Sequence, residues 1–463
     1  MNKRFKRSLP LPLLAAAATL APAAILALPA MTTTLRAADD DAASLRDEVA
    51  ALKAQVAKLE KRAVMTDADD AKAAATTPKV ALGTGGFTVT APDKSYSFKV
   101  GLLLQTDYRY YAEQGTANPN DTFFLRRVRL PLTGTWGKYL KFNLTPEFGS
   151  ADGTSTSQNH TVFDAWTELR LMPEFGLRAG KFRTAAALAG PDNRHFIEAP
   201  FTNQLLPNRD LGLDATGDFT FGKTVLGYRF GIYNGAPNND WKNSVSNADT
   251  HLTLGGRFSV SPLKKSDNPW LNGLELSVGW TYGSETGTLG AVKSGSQQSI
   301  SSNAAVDGER LRVAPAVAYY AGPFSVVAEF ALDRPTLDAT KFHKHAYNTA
   351  WALSAGWVLT GEKSTPSGVT PASPLSIGGG KSGFGAVEIA ARVNEVWVDE
   401  KLKGASSVKH AVGVGAGINW WLTKNALVRF GAEYTQFDAS TKAPAAAIAD
   451  DEFYLFTRFE LKF

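Results

Sequence analysis

The sequence of 463 residues contains no cysteine. This absence excludes disulfide bonds, thiol catalysis, thiolate metal sites and a lipid-modified N-terminal cysteine. It suits an oxidising compartment such as the periplasm, where stray thiols are a liability.

Charge is also scarce, because charged residues make up only 20% of the chain and the formal net charge is +5. Four of the basic residues are Lys3, Arg4, Lys6 and Arg7. Without them, 45 basic residues (49 minus 4) face 44 acidic residues. The rest of the chain is therefore nearly neutral, which excludes a generally basic surface, and we expect no nucleic-acid partner.

A long hydrophobic run occurs only near the start, from Leu9 to about Ala30. It follows the basic segment MNKRFKR and leads into small residues up to Ala38, so residues 1–38 are predicted to be a secretory signal peptide. The alternative, a membrane anchor, is disfavoured because four prolines interrupt the run. After this segment no run of 18 apolar residues occurs, which excludes a helical membrane protein.

A heptad pattern follows the predicted signal. Apolar residues recur at alternating steps of four and three, which predicts a periplasmic coiled-coil helix within 39–65. About three heptads are marginal alone, so this helix needs partner chains; the alternative is a lone amphipathic helix on the rim of a barrel. Residues 66–94 are predicted to be a linker. The apolar positions of the heptads are Leu45, Val49, Leu52, Val56, Leu59 and Ala63.

From about Lys79 to the end, apolar and polar residues alternate. About sixteen segments of roughly ten residues show this period of two, which is typical of membrane-spanning β-strands. Short and long connections alternate between them, and the long stretch Thr360–Gly383 is the one exception. We therefore predict an all-β fold, a 16-stranded antiparallel transmembrane β-barrel over 95–463. The last predicted strand ends in Phe463, and its apolar residues share one face.

The inward positions of the predicted barrel are rich in arginine. A guanidinium group stays charged and offers a planar set of donors that matches phosphate and carboxylate oxygens. The alternative is that these arginines pair with inward acids and brace the wall. Glu147, Asp164, Glu329 and Glu433 are among the acids on that face. The residues predicted to form an anion pathway are Arg109, Arg127, Arg129, Arg194, Arg209, Arg229, Arg257, Arg310, Arg312 and Arg392.

The longest predicted loop, Ala185–Asp210, is a candidate to fold inward and narrow the pore. A 16-stranded barrel is otherwise wide enough to hold a water channel. The loop contributes Arg194, His195 and Arg209 as charged contacts. Its apolar side chains favour packing against another part of the protein. The alternative is an ordinary surface loop.

Catalytic motifs are absent from the sequence. It has neither a Gly-x-Ser-x-Gly turn nor a glycine-rich phosphate loop, so we expect no enzyme activity and no cofactor. His343 and His345 form a His-x-His pair, but no carboxylate lies close enough in the sequence to complete a metal site.

Several stretches resemble the phosphate-selective porin family, also called porin O and P. They are FFLRRVRLPLTGTWGKYLKFNLTPEFG at 123–149, DAWTELRLMPEFGLRAGKF at 164–182, NRDLGL at 208–213, AYYAGPFSVVAEF at 318–330, GAVEIAARVNE at 385–395 and NWWLTKNALVRFGAEYTQF at 419–437. The resemblance implies a 16-stranded trimeric porin in the outer membrane, surrounded by lipid and passing small anionic solutes. It also implies a periplasmic helical segment before the barrel, and an insertion where Thr360–Gly383 stands.

Arg127 and Arg129 match the wall motif of that family, whereas the long loop has fewer basic residues than phosphate-binding members carry. The leading hypothesis is a porin for passive diffusion that prefers anions such as phosphate. The second is a structural protein that tethers the envelope through its periplasmic helix. A third, an outer-membrane hydrolase, has no supporting motif.

Overall fold

The fold is known from a computed structural model. It describes residues 46–62, 65, 76–83, 85–112, 121–149, 161–186, 188, 194–235, 249–296, 298–337, 344–376, 383–402, 408–438 and 450–463. The predicted signal peptide, 1–38, lies outside these residues. The chain divides into two units, 1–74 and 75–463.

The first unit contains helix α1, residues 46–62, in which every residue is exposed. Four heptad positions, Val49, Leu52, Val56 and Leu59, lie on it, whereas Leu45 and Ala63 fall outside the described residues. The coiled coil therefore stays a prediction. No described helix is long and apolar enough to cross a membrane.

The second unit is built mainly of strands. It also contains α2 (Thr202–Leu205) and a 3-10 helix (Glu400–Leu402). The described strands are β1 (Lys79–Gly83), β2 (Gly86–Thr90), β3 (Tyr96–Val100), β4 (Leu103–Tyr111), β5 (Thr122–Arg129), β6 (Leu132–Trp136), β7 (Leu140–Glu147), β8 (Thr161–Met172), β9 (Phe175–Arg183), β10 (Arg209–Phe221), β11 (Thr224–Tyr233), β12 (Thr253–Ser261), β13 (Leu274–Leu289), β14 (Ala304–Ala321), β15 (Phe324–Leu337), β16 (Lys344–His345), β17 (Asn348–Val358), β18 (Ser364–Thr365), β19 (Gly368–Val369), β20 (Ala386–Trp397), β21 (His410–Trp421), β22 (Ala426–Phe437) and β23 (Asp451–Lys462).

Sixteen antiparallel wall strands close into a barrel, as predicted. Two of them are interrupted: β3 and β4 form one wall strand broken at Gly101, and β5 and β6 form another broken at Pro131, which has no N–H for the ladder. The other fourteen are β7 to β15, β17 and β20 to β23. Closure occurs where β23 pairs with β4, so that Arg458 lies opposite Asp107.

The even number of strands places both ends of the barrel chain at one rim. We call this rim the terminal end, because Phe463 lies there beside Leu102, with reciprocal backbone hydrogen bonds of 3.0 Å. The opposite rim, which carries the long connections, is the loop end. The two ends define the direction of every strand and loop described below.

The outer face of the barrel is an apolar band. On β17, for example, Trp351, Leu353 and Trp357 are exposed, while the residues between them face inward and are mostly buried. At the terminal end, outward aromatic rings contact one another, as in the pair Phe384 and Trp420 with ring centroids 5.1 Å apart. Such a band edged by aromatic residues is the surface that a lipid bilayer covers.

Two segments carry structure that the period-two pattern did not predict. Residues 66–94, predicted to be a linker, include the hairpin β1–β2, which joins the sheet through pairing of β2 with β3. The long connection 359–385 contains the small hairpin β18–β19. We call this second segment the terminal-end insertion.

The largest apolar cluster lies in the lumen, near the loop end. Phe201, Leu205 and Leu206 of the connection between β9 and β10 pack in one buried cluster with Ile300 and Leu402 of two other connections. The long connections are therefore part of the core of the protein.

The seam of the barrel provides a test of closure. Arg458 donates hydrogen bonds of 2.6 and 2.7 Å to the two carboxylate oxygens of Asp107, and both side chains are fully buried. Arg458→Gln removes two charged hydrogen bonds from buried Asp107 and leaves it only Arg109, at 3.1 Å, so we expect the free energy of unfolding to fall by about 3 kcal/mol. Urea unfolding in lipid vesicles, followed by tryptophan fluorescence, measures this change.

The matched control is Arg170→Gln, because the Arg170 guanidinium is partly exposed and its loss should cost less than about 1 kcal/mol. Equal unfolding midpoints for the two variants would contradict the role assigned to the seam pair.

Candidate functional site: the lumen

The described residues of the connection between β9 and β10, 184–186, 188 and 194–208, lie inside the barrel. We call this connection the inner loop. Phe196 and Ile197 are almost completely buried, and so are Leu205, the last residue of α2, and Leu206. An ordinary surface loop would leave such side chains in water, so the structure favours the inward-folding alternative.

Three arginines from the wall hold the backbone of the inner loop. Their guanidinium groups donate to three consecutive carbonyl oxygens, at distances of 2.6 Å to that of residue 196, 2.9 Å to 197 and 2.7 Å to 198. Because residues 194–198 form neither a helix nor a strand, these carbonyls lack the partners that secondary structure provides, and the arginines supply the missing hydrogen bonds. The donors are Arg429, Arg458 and Arg392, from β22, β23 and β20.

Glu198 fixes the side of the inner loop that faces β4 and β5. Arg126 donates two hydrogen bonds of 2.9 Å to its carboxylate, and Arg109 forms an ion pair with the same group. Burial alone would raise the pKa of Glu198, but Arg126 and Arg109 hold that pKa well below its usual range. Glu198 therefore stays ionised and keeps both arginines in place.

A β-bulge brings Arg126 into the lumen. The register pairs Gln105 with Arg127 and Thr106 with Leu125, which leaves Arg126 as the extra residue of β5. A bulge turns two consecutive side chains toward one face, and strict alternation cannot reveal it. The alternating pattern therefore did not predict Arg126 in the lumen. The only sequence signal for it was the adjacent pair Arg126-Arg127.

Glycines on the wall make room for the inner loop. A Cβ on Gly415 of β21 would lie 2.9 Å from the Phe196 ring, and one on Gly279 of β13 would lie 2.2 Å from the carbonyl oxygen of Ala186. The neighbouring inward positions Gly413 and Gly417 are also small. Alternate glycines in one strand were the sequence signal for this slot.

Arg194 connects the inner loop to the other end of the barrel. It donates hydrogen bonds of 2.7 and 2.9 Å to Glu388 on β20, and 3.0 Å bonds to the Thr365 carbonyl and the Ser364 hydroxyl. Since Ser364 and Thr365 belong to the terminal-end insertion, this segment and the inner loop meet inside the barrel.

A second connection, between β13 and β14, also folds inward. Ser294 donates a 2.7 Å hydrogen bond to the buried carboxylate of Glu452, and the Lys293 amide donates one of 2.7 Å to Gln204 of the inner loop. Arg109 reaches the carbonyl of Gly295 at 3.4 Å. The inner loop is therefore covered from the loop end as well.

The wall of β5 to β12 is the part of the lumen that these contacts leave more open; we call it the open wall. Arg178 and Arg229 share the single carboxylate of Asp214, with hydrogen bonds between 2.7 and 3.2 Å. The Phe163 ring lies between two guanidinium carbons, those of Arg129 at 3.3 Å and Arg209 at 3.4 Å from its centroid. At this wall the arginine side chains therefore outnumber the carboxylates with which they pair.

Nine of the ten arginines predicted to form an anion pathway have a carboxylate within 4.0 Å. In the part of the chain that the structure describes, Arg127 has no ion pair and donates instead to the Gln105 amide oxygen at 2.7 Å. The bracing alternative thus applies to most of the set. The paired residues are Arg109, Arg129, Arg194, Arg209, Arg229, Arg257, Arg310, Arg312 and Arg392.

Metal-binding residues are not brought together. Among the described residues, no group of three or more His, Asp or Glu could hold a metal ion. The His345 ring lies 3.1 Å from the Thr336 hydroxyl, and His343 falls outside the described residues.

Comparison with known proteins places the barrel in a family. Residues 98–463 match the family described as phosphate-selective porin O and P. The chain belongs to this porin family. It is thus an outer-membrane porin, and the resemblance noted from its motifs is confirmed. Porin O of Pseudomonas aeruginosa is 32% identical over 104 residues, which cover 20% of this chain and 24% of that relative. The match therefore spans about a quarter of the relative's length.

Two solved structures share the porin fold. The outer membrane channel DcaP of Acinetobacter baumannii has a TM-score of 0.50 at 10% identity and covers 81% of this chain and 100% of its own. OprB of Pseudomonas putida also has a TM-score of 0.50, at 11% identity, over 80% of this chain and 95% of its own. At such low identity these likenesses show the fold of the porin alone.

The glycine slot provides a test of the inner loop. A leucine side chain at position 415 cannot fit beside Phe196, so Gly415→Leu should displace the inner loop from the wall. We expect a changed single-channel conductance and faster hydrogen exchange over 194–206. Gly83→Leu, at the exposed end of β1 where a Cβ meets nothing within 4 Å, is the control. Wild-type exchange in Gly415→Leu would contradict the packing described.

The inner loop should also respond to pH through His195, which lies outside the spanning strands. Burial, with the charge of Arg194, lowers the pKa of this ring to about 3. An undocked loop would take up a proton below its ordinary pKa of about 6.5, so docking is fully stable above that pH and weakens toward pH 3.

We expect hydrogen exchange over 194–206 to accelerate, relative to the intrinsic rate, between pH 7.5 and pH 5. His195→Gln should abolish this dependence, while the exposed His251→Gln should keep it. The same acceleration in His195→Gln as in wild type would show that another group causes it.

Proposed function

We propose that this porin carries small solutes by passive diffusion and prefers anions, phosphate included. The observation that carries the proposal is the difference in exposure between two sets of arginines. One set lies behind the inner loop or deep in the wall, and the other lines the open wall.

The first set is sealed from water. The side chains of Arg109, Arg194, Arg310, Arg312, Arg392 and Arg458 are 0–3% exposed. In the second set, 13–26% of each side chain is exposed. A passing ion can meet this second set and the partly exposed Arg127. The second set consists of Arg126, Arg129, Arg170, Arg178, Arg209 and Arg229.

The acids of the open wall lie mostly behind its arginines. Asp214 is fully buried, whereas its partners Arg178 and Arg229 are 16% and 17% exposed. The Arg170 side chain is likewise more exposed than that of its partner Glu168, at 26% against 10%. For Arg209 and Asp164 the acid is the more exposed side chain, at 17% against 13%. Water in this part of the lumen therefore contacts more positive than negative charge.

The path we propose runs between the inner loop and the open wall. Guanidinium groups already paired with carboxylates keep donors free for a second acceptor, because each carries five N–H groups. A phosphate or other anion can pass from one to the next without being held tightly, as conduction requires.

Two further features belong to the proposal. We place α1 in the periplasm, because an even number of strands puts the N-terminal end of the barrel at the same rim as Phe463. We also propose a homotrimer, supported by the exposed heptad residues of α1, which need partner helices. The apolar band of the barrel would meet outer-membrane lipid where no neighbouring subunit covers it.

Reversal potentials in a potassium chloride gradient across a planar bilayer test the proposal. We expect chloride to permeate better than potassium. Arg127→Gln removes a lumen charge without leaving an unpaired carboxylate. A unit charge about 8 Å from an ion in water contributes about 0.5 kcal/mol, with opposite sign for chloride and potassium, so the permeability ratio should fall by about fivefold.

The control is Lys265→Gln, which removes an exposed charge from the turn between β12 and β13. A wild-type channel that prefers potassium would sink the proposal. An Arg127→Gln channel with the wild-type ratio would remove Arg127 from the anion path.

A further inference from the structure

A cavity of about 320 Å³ lies in the lumen toward the terminal end. Three parts of the chain frame it: the start of β13 and end of β14, the inner loop, and the terminal-end insertion. This volume is in the range of small-molecule sites in proteins. The anion path described above does not use it. Residues that line it include Leu188, Lys264, Asn272, Tyr320, Lys363 and Pro366.

The insertion is held firmly over this cavity. The amide of Ser364 donates a 2.8 Å hydrogen bond to the carbonyl of Gly322, and Arg194 binds Ser364 and Thr365 from the inner loop. Gly368, with a φ of +119°, lies under the ring of Trp421. These contacts keep Ser364, Thr365 and Gly368 in place, so the insertion forms a defined wall of the cavity.

An unpartnered hydroxyl lies in the cavity wall. Tyr320 is only 5% exposed, and among the described residues its hydroxyl has no hydrogen-bond partner. A buried hydroxyl without a partner is unfavourable, and such a group in a cavity indicates a missing ligand or water. A tyrosine hydroxyl can donate to a carboxylate oxygen.

The charges at the cavity favour an anion. Lys264 and Lys363 line it, and within the described part of the chain neither has an ion pair. The one acid in the lining, Glu275, lies 4.0 Å from Arg257, which offsets part of its charge. Two ammonium groups and a phenol hydroxyl, with the side chains of Asn272, Ser364 and Thr365, thus form the polar side.

The remaining lining is apolar and includes Leu188, Ala318 and Pro366 together with the ring of Tyr320. An inorganic anion would leave this surface without contacts and would fill little of the volume. We propose that the cavity binds a small organic carboxylate with an apolar body, its carboxylate toward Tyr320 and the two lysines. This names a solute class for the channel and so rests on the proposed function, but the binding itself is measurable without conduction.

Benzoate is a suitable probe, and benzamide is its neutral counterpart of similar shape. Isothermal titration calorimetry on the detergent-solubilised full chain should show benzoate binding and at least tenfold weaker benzamide binding. Tyr320→Phe removes only the hydroxyl, and we expect benzoate affinity to fall about fivefold, the value for one hydrogen bond. Lys363→Gln should also weaken it, whereas Lys265→Gln, in the same turn as Lys264 but outside the lining, should not.

The same variants separate this inference from the proposed function. Tyr320→Phe carries no charge change, so the chloride-to-potassium ratio should stay at the wild-type value. Equal benzoate affinity in wild type and Tyr320→Phe, or equal binding of benzoate and benzamide, would overturn the inference while leaving anion preference intact. A cation-preferring channel that still binds benzoate through Tyr320 would overturn the proposed function alone.

Discussion

The structure depends on the hydrogen bonds that three wall arginines donate to the inner loop. Arg429, Arg458 and Arg392 bind the carbonyls of residues 196, 197 and 198 in turn. These bonds keep a piece of backbone that is neither helix nor strand inside the lumen. Arg458 also binds Asp107 across the seam, so closing the barrel and fixing the loop are coupled.

Fixing the inner loop divides the lumen. Arginines on one side become structural, because the loop or buried acids of the wall enclose them. Those on the side of β5 to β12 keep an edge toward water, and most of their carboxylates lie behind them. The same residue type therefore braces one half of the barrel and provides the charge of the other half. Exposure separates the two roles, since nearly all of these arginines have an acid within reach.

The sequence was sufficient for the barrel because sixteen alternating strands repeat one weak signal. It was insufficient where the alternation breaks. The bulge at Arg126 reverses the expected face, and Pro131 interrupts a strand that the pattern shows as continuous. The arginines were found, but their pairing was not, because partners such as Arg194 and Glu388 lie 194 positions apart. Only the folded register shows which charges meet.

The inner loop seals one side of the lumen and leaves a positively charged side open to water. Because the chain has no cysteine, single cysteines can test it. Thr216→Cys lies on the open wall, and Ala390→Cys lies in the cluster with Phe196 and Ile197. The rates of their reaction with anionic and cationic methanethiosulfonates should be measured in lipid vesicles. We expect Thr216→Cys to react readily, and faster with the anionic reagent, while Ala390→Cys is protected. Equal rates at both positions, or a faster cationic reaction at Thr216→Cys, would contradict it.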